Sequence, residues 1–139
     1  MIIVLDTNVL VAGLLSPYGP CGDIVRLASA GKLRLALDAR ILSEYREVLL
    51  RPKFRFDPDK IASLVDQLGR CGICVAPSPL PEPLPDPDDE AFLEVALAAN
   101  AACLVTGNLA HFPAKSCGEL HVLSPGDFLQ SFRHDLSRL

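Results

Sequence analysis

The amino-terminal stretch Ile2-Ile3-Val4-Leu5-Asp6-Thr7-Asn8 decides how the rest of the chain is interpreted. A short run of β-branched and aliphatic residues is typical of a buried strand in a parallel sheet. Asp6 would then lie at the carboxyl end of that strand, which is the edge where open α/β sheets bind ligands. A carboxylate is costly to bury unless it is paired or bound to a metal. The stretch therefore predicts a sheet with a structural or chemical reason for an acid at its edge.

Strand-like and helix-like runs alternate along the remaining sequence, which predicts βα units and a central parallel sheet. We expect a three-layer α/β fold in which four to five strands are flanked by helices, as one domain over residues 1–139. After the first strand, further strands are predicted at 33–37, 73–75, 103–105 and 120–123. Helices are predicted at 9–15, 21–30, 39–50, 58–68, 88–101 and from 125 onward. The proline-rich residues 76–87 between them are expected to form an extended surface loop.

Composition limits the class of protein. The chain has 139 residues, of which 50% are hydrophobic and 22% charged, with a net charge of −4, so it is globular rather than disordered. No apolar run is long enough to span a membrane, and the first one ends at Asp6 without a basic segment before it, so we expect a cytoplasmic protein. Five cysteines, an odd number, favour reduced thiols over a disulfide framework. The pair in Cys71-Gly72-Ile73-Cys74 lacks the second pair that zinc normally requires.

Helical geometry predicts which acids face the core. In the helix over 39–50, Glu44 lies at the border of the apolar stripe, whereas Glu47 points to solvent. In the helix over 88–101, Asp89 begins the apolar, core-facing stripe. The alternative explanations are surface pairing for Glu44 and helix capping beside Asp89, where Asp88 fits an N-cap. Asp38 and Ser124 are likewise predicted to cap the helices that follow them.

Asp6, Glu44 and Asp89 come from three separate elements that we expect at one edge of the sheet. Three unpaired carboxylates in one place repel each other and raise each other's pKa, and a divalent cation removes that conflict. Oxygen ligands with retained waters suit Mg²⁺ or Mn²⁺. Thr106-Gly107-Asn108 follows another predicted strand just as Thr7 and Asn8 follow the first, although Gly-Asn is also a common turn pair. The three histidines are scattered and are expected in surface or turn positions: His111, His121 and His134.

Taken in order, these segments resemble the PIN-domain family, in particular small prokaryotic PIN proteins of the VapC-like toxin type. The resemblance rests on motifs spread over nearly the whole chain. They are Ile2 to Val9, Ser43-Glu44, Asp86-Pro87-Asp88-Asp89 before Phe92-Leu93, Leu104-Val105-Thr106-Gly107-Asn108, and Leu123-Ser124-Pro125 with Phe128-Leu129.

The resemblance implies a metal-dependent ribonuclease whose first three acids are Asp6, Glu44 and Asp89. The family often has a fourth acid where this chain has Asn108, so a second metal is in doubt unless Asp86 or Asp88 compensates. Asn8, Thr106 and Asn108 would orient waters or ligands. Proteins of this type are usually paired with a small antitoxin and commonly form homodimers. Candidates for contacts to an RNA backbone are basic residues near the third helix: Arg40, Arg46, Arg51, Lys53 and Arg55. Phe54 and Phe56 are interleaved with them and could stack on bases.

Two alternatives of different classes remain open. An aspartyl-phosphate protein, of the receiver or phosphatase type, also has an Asp after its first strand, but the phosphatase pattern requires a second Asp where this chain has Asn8. A non-catalytic PIN fold that binds RNA or protein is the other alternative, and Asn108 favours it.

Overall fold

The computed structural model describes residues 1–137, which form a five-stranded, all-parallel sheet with helices packed on it. The strands are β1 (Ile2–Leu5), β2 (Arg34–Leu37), β3 (Ile73–Cys74), β4 (Cys103–Val105) and β5 (His121–Leu123). The helices are α1 (Thr7–Leu15), α2 (Pro20–Ser29), α3 (Ala39–Leu49), α4 (Pro58–Cys71), α5 (Glu90–Ala99), α6 (Ala114–Cys117) and α7 (Pro125–Ser137). Short 3₁₀ turns occupy Pro52–Phe54, Pro87–Asp89 and Leu109–His111. The predicted three-layer α/β fold is confirmed, and its sheet has five strands.

β1 is the central strand, and the chain changes direction around it. The strand order is β3-β2-β1-β4-β5, so the chain first adds β2 and β3 on one side of β1 and then returns to add β4 and β5 on the other. This reversal creates a crevice at the carboxyl ends of β1 and β4, the place where doubly wound sheets bind ligands. Asp6 and Thr106 are the first residues after those two strands.

The core lies between the sheet and its helices. Ile3, Val4 and Leu5 have no exposed surface, because helices cover both faces of the central strand. α5 packs on β1, β2 and β4, and α4 packs on β2 and β3. α1 and α2 form a tight helical pair in which a Cβ at Gly22 would lie 2.0 Å from the carbonyl oxygen of Pro17, so only glycine fits there.

Several local predictions are confirmed and two are wrong. Asp38 caps α3 by accepting a hydrogen bond from the backbone of Ile41 (3.1 Å), and Ser124 caps α7. α4 continues past its predicted end near Leu68 to Cys71, because Gly69 lies inside the helix at ordinary contact distance from the Leu42 side chain (3.7 Å from an added Cβ) and the helix ends only at Gly72. The fifth helix begins at Glu90 rather than at residue 88, since a 3₁₀ turn precedes it. The predicted helix from residue 125 is α7, and residues 138–139 lie outside the described part of the chain.

The capping role that the sequence suggested for Asp88 belongs to Asp86. The side chain of Asp86 accepts a hydrogen bond from the backbone of Asp88 at 3.0 Å, and its backbone oxygen accepts one from Asp89 at 3.1 Å. Pro87 explains this position, because proline favours the first residue of a helical turn. The residue before the proline, Asp86, is then the N-cap.

The proline-rich segment over 76–87 is held against α5 by two glutamates. Glu90 accepts a hydrogen bond from the backbone of Leu84 at 2.9 Å, and Glu94 accepts one from the backbone of Leu80 at 3.1 Å. Leu84 is also buried, with 5% of its surface exposed. The segment is extended, as predicted, but it is anchored at two points just before the turn that carries Asp89.

All five cysteines of the described residues are free thiols, in agreement with the expectation from their odd number. Within residues 1–137, no helix is both long enough and apolar enough to cross a membrane.

Candidate functional site

Asp6 and Thr106 meet at the crevice between β1 and β4. The Thr106 hydroxyl donates a hydrogen bond to Oδ2 of Asp6 at 2.7 Å, and the Asn8 amide approaches the same oxygen at 3.4 Å. Thr106 is completely buried and Asp6 is 6% exposed. The Asn8 side chain also accepts a hydrogen bond from the backbone of Gly107 at 3.1 Å. The two polar segments that the sequence placed after separate strands therefore form one network.

Glu44 reaches this network from α3. The Thr7 hydroxyl donates a hydrogen bond to Oε2 of Glu44. The next residue, Tyr45, is fully buried and its hydroxyl donates to the backbone carbonyl of Leu5, the last residue of β1. Glu44 is partly buried, as predicted from its place at the border of the apolar stripe, and Glu47 is exposed. Two hydrogen bonds thus hold α3 against the end of β1 and bring Glu44 near Asp6.

Asp89 lies in the turn before α5, and one of its carboxylate oxygens has no hydrogen bond to the described residues. Its side chain faces inward with 8% of the residue exposed, and its Oδ2 atom is buried without a hydrogen bond among residues 1–137. Nδ1 of His111 lies 3.1 Å from that oxygen, but the contact does not have hydrogen-bond geometry. His111 lies in a turn and is about half-exposed, as expected, yet its proximity to Asp89 was not predicted. A buried carboxylate oxygen without a donor is destabilising unless something else binds it.

The three carboxylates line one cleft of about 430 Å³ at the sheet edge, together with Thr7 and Asn8. Their electrostatics show that each is disfavoured as an anion. Burial raises the pKa of Asp6, against the opposing effect of the Thr106 hydrogen bond. Burial, and then the charge of Asp6, raise the pKa of Asp89 to about 6. Burial raises the pKa of Glu44 as well, with a contribution from the charge of Asp6. Burial is the largest cause in each case, and the charge of Asp6 contributes to the raised pKa of both Glu44 and Asp89, as the predicted repulsion requires.

The other polar candidates are distributed unevenly around the cleft. The exposed Asn108 forms a hydrogen bond to Thr106 only through its backbone N–H (3.0 Å), and its side chain does not line the cleft. Asp88 lines a neighbouring cavity of about 250 Å³ with Glu44, and its charge contributes to the raised pKa of Glu44. Asp86 is exposed and acts as the cap described above.

The five basic candidates also differ in position. Arg51 lines the carboxylate cleft and pairs with Glu47 at 3.1 Å, and both of these side chains are well exposed. Arg40 lines the neighbouring cavity and is bound by two acids. The other three are exposed and line neither cavity: Arg46, Lys53 and Arg55.

Arg40 and Glu94 form a link that the sequence did not indicate. The Arg40 guanidinium contacts Oε1 of Glu94 at 2.8 Å and Oδ2 of Asp38 at 2.7 Å. Glu94 is 9% exposed. Arg40 precedes Glu44 by one turn of α3, and Glu94 lies on α5, the helix that follows the turn with Asp89, so this ion pair joins the two parts of the chain that bring Glu44 and Asp89 to the site.

A hard divalent cation fits the donor set. The donors are oxygen atoms from three elements, their anionic forms are disfavoured, and one buried oxygen of Asp89 has no hydrogen bond. Among the described residues, no three Asp, Glu, His or Cys side chains are gathered tightly enough to ligate one ion directly. Such an ion would therefore keep several waters between itself and the carboxylates, which is the usual behaviour of Mg²⁺.

Comparisons with known proteins agree with this fold. A family model described as a PIN domain matches residues 2–110, which include all three carboxylates. A chain in the crystal structure of VapBC2 from Rickettsia felis bound to a DNA fragment from their promoter has a similar fold, with a TM-score of 0.55 and 17% sequence identity. The similarity covers 89% of this chain and 98% of that one. No curated protein matches the sequence.

Proposed function

The chain belongs to the PIN-domain family, and from that membership and the carboxylate cleft we propose that it is a divalent-metal-dependent endoribonuclease. The observation that carries the proposal is Oδ2 of Asp89, a buried oxygen without a hydrogen bond in a cleft that it shares with Asp6 and Glu44. An aspartyl-phosphate protein would need the carboxylate of Asp6 free to attack phosphorus, whereas Asp6 is 6% exposed and its Oδ2 atom accepts a hydrogen bond from Thr106.

Asp6, Glu44 and Asp89 would hold Mg²⁺ or Mn²⁺, partly through waters. When bound, such an ion polarises a phosphodiester oxygen and makes a water more acidic. The protein's own groups supply the geometry. Thr106 orients the carboxylate of Asp6, and Thr7 orients that of Glu44.

Two contacts between elements of the fold hold the three carboxylates in position relative to one another. Tyr45 ties α3 to the end of β1, and the pair of Arg40 with Glu94 ties α3 to α5. Preorganised ligands of this kind lower the cost of assembling a metal site, because few side chains must be ordered on binding.

The test is cleavage of single-stranded RNA with added Mn²⁺ or Mg²⁺, compared with the same reaction in excess EDTA. We expect cleavage only with metal, and none from Asp6→Asn, whose amide is nearly the same size as the carboxylate but has no charge. The matched control is Asp66→Asn, the same chemical change at an exposed position of α4, which should cleave like the wild type. Equal metal-dependent cleavage by Asp6→Asn and the wild type would refute the mechanism.

The number of metal ions depends on Asn108. An asparagine there brings no charge, so the proposal assigns one tight site, with a second ion recruited with the substrate. The side chain of Asn108 lies outside the cleft, but its backbone is hydrogen-bonded to Thr106, the partner of Asp6, so a charge there would lie close to the site. We therefore expect Asn108→Asp to bind a second Mn²⁺ more tightly in equilibrium titration. If the wild type binds no Mn²⁺ at all, the site is not a nuclease site, and the non-catalytic PIN fold becomes the better explanation.

We further propose that the protein acts in the cytoplasm as a toxin of the VapC-like type with a cognate antitoxin, and that it forms a homodimer. The support is the family membership and the fold shared with a chain of the Rickettsia felis VapBC2 structure. Expression of the wild type alone should arrest growth, expression of Asp6→Asn should not, and co-expression of a neighbouring small reading frame should restore growth. Arrest that persists with Asp6→Asn would separate toxicity from the nuclease site.

A further inference from the structure

The cleft that contains the three carboxylates has a second, apolar end. The apolar residues that line it come from α1, α3 and the turn after α3: Val11, Ala12, Leu15, Val48 and Phe54. Leu15, the last residue of α1, is 54% exposed. Acidic and apolar walls therefore face one continuous space of about 430 Å³, within the range of small-molecule sites.

Phe54 lies at this apolar end and stacks on a second aromatic ring. It closes the 3₁₀ turn Pro52–Phe54, and the next residue, Arg55, has a left-handed backbone with φ of 56°. This unusual backbone conformation lets the rings of Phe54 and Phe56 meet on one side of the chain, stacked with their centroids 5.7 Å apart. A ring that is already fixed loses little entropy when it binds a flat ligand.

Positive charge lies beside the aromatic ring. Arg51 lines the cleft, and Nζ of Lys53 lies over the Phe54 ring, 5.0 Å from its centre, on an exposed side chain that an incoming base can displace. The pair of Arg51 with Glu47 is exposed and hence weak, so the guanidinium can exchange its partner for a phosphate. The cleft thus combines a cation, a fixed aromatic ring and an apolar wall with the metal-ligating carboxylates.

We propose that the apolar end of the cleft is a nucleobase subsite, which holds the base of a nucleotide next to the scissile phosphate. The base contacts Phe54, Leu15 and Val48, while Arg51 binds a flanking phosphate. A nucleotide satisfies both ends of the cleft, because its base is flat and weakly polar and its phosphate is anionic. An apolar protein segment in the same space would have to remove water from the carboxylates and Arg51 without replacing their interactions.

This inference rests on the proposed nuclease function, so its test measures binding without catalysis. The probe is a fluorescently labelled single-stranded oligoribonucleotide, titrated in EDTA and followed by anisotropy. Loss of one base–aromatic stack weakens binding by about 5- to 150-fold, so Phe54→Ala should bind more weakly within that range. The control is Tyr18→Ala, which removes an aromatic ring that is 96% exposed and lies outside the cleft, and which should bind as the wild type does.

Two further comparisons make the result specific. Phe54→Leu keeps the apolar packing against Phe56 but removes the aromatic face, so weakened binding by this variant excludes misfolding as the cause. Uridine 5′-monophosphate should bind the wild type more tightly than ribose 5-phosphate does, and Phe54→Ala should remove that difference. Mn²⁺ titration of Phe54→Ala should match the wild type.

The outcomes separate the two proposals. Oligonucleotide binding by Phe54→Ala and Leu15→Ser equal to that of the wild type would overturn the subsite, even if metal-dependent cleavage is found. Equal binding of uridine 5′-monophosphate and ribose 5-phosphate would overturn it too, because only the phosphate would then be bound. If the wild type binds no oligonucleotide, the apolar wall is a protein-docking surface instead. Base-dependent binding in a protein that never cleaves RNA would support the subsite and refute the nuclease.

Discussion

Replacement of Asp89 by asparagine should make the metal-free protein more stable at neutral pH, although it should destroy the proposed activity. Asp89 carries a charge in a nearly buried position, beside Asp6, with Oδ2 unbonded. The asparagine side chain has the same shape, removes the repulsion, and offers an N–H group to the nearby ring nitrogen of His111. A functional residue that destabilises the fold is expected where a ligand supplies the missing interaction.

The magnitude follows from the pKa of Asp89, which rises from 3.8 to about 6 on folding. Each pKa unit corresponds to about 1.4 kcal/mol, which sets a ceiling of about 3 kcal/mol on the cost of the charge. Because the cleft is open to water, solvent screens part of this cost. We expect Asp89→Asn to raise the free energy of unfolding by about 1 kcal/mol and the Tm by ~3 °C relative to the wild type.

The sign of the pH dependence is determined by the direction of the shift. A carboxyl group whose pKa is higher in the folded state costs stability fully at pH values above that folded pKa. The cost disappears as the pH falls from about 6 towards the unfolded value of 3.8. The advantage of Asp89→Asn should therefore be largest at neutral pH and vanish in mild acid.

Thermal unfolding in EDTA across this pH range is the assay, with exposed Asp66→Asn as the matched control. Added Mn²⁺ should raise the Tm of the wild type more than that of Asp89→Asn, since binding to the folded state adds stability. If Asp89→Asn melts at a lower temperature than the wild type at neutral pH, the carboxylate is not under repulsion and the reasoning fails.

Three other substitutions probe the support of the site. Thr106→Val removes the hydroxyl that holds Asp6, and Mn²⁺ titration should show about tenfold weaker binding; unchanged affinity would mean that the hydroxyl does not orient the ligand. Tyr45→Phe leaves the buried carbonyl of Leu5 without its donor, and urea unfolding should show a loss of ~1–3 kcal/mol. Glu94→Gln removes the charge that faces a half-exposed arginine, and we expect a loss of about 1–2 kcal/mol in the same assay. A midpoint equal to that of the wild type would show that this link carries no stability.

The sheet and the positions of the three carboxylates could be predicted because the sequence patterns that indicate them involve only neighbouring residues. Ile2–Leu5 is a continuous apolar run, so both its burial and the position of Asp6 follow from residues next to one another. Glu44 and Asp89 follow from helical periodicity, which depends on positions within about two turns. Asp89 was predicted to lie inside the helix, whereas it lies in the turn just before α5. Its side chain nevertheless faces inward as predicted, because the helical turn continues the same direction into α5.

What could not be predicted depends on parts of the chain that are far apart. His111 approaches Asp89 only because of the path taken by the turn after β4, for which the sequence has no periodic signal. Arg40 and Glu94 are 54 residues apart, and each alone is typical of a solvated helix surface. The cap was assigned to Asp88 instead of Asp86 because three aspartates compete within four residues, and the proline between them decides which side chain is free to accept a hydrogen bond.

The attachment of the proline-rich segment has a consequence for how its length can change. Every odd-numbered residue over 77–87 is proline, so only the even-numbered residues have a backbone N–H. The two amides held by Glu94 and Glu90 belong to Leu80 and Leu84, both even. Deletion of a single residue between Leu84 and Glu90 would bring a proline opposite each glutamate and remove both hydrogen bonds together, whereas deletion of two there would restore a donor at each. Both hydrogen bonds are therefore kept only when the number of residues gained or lost here is even. Homologous chains that keep both anchors should differ in length here by even numbers of residues.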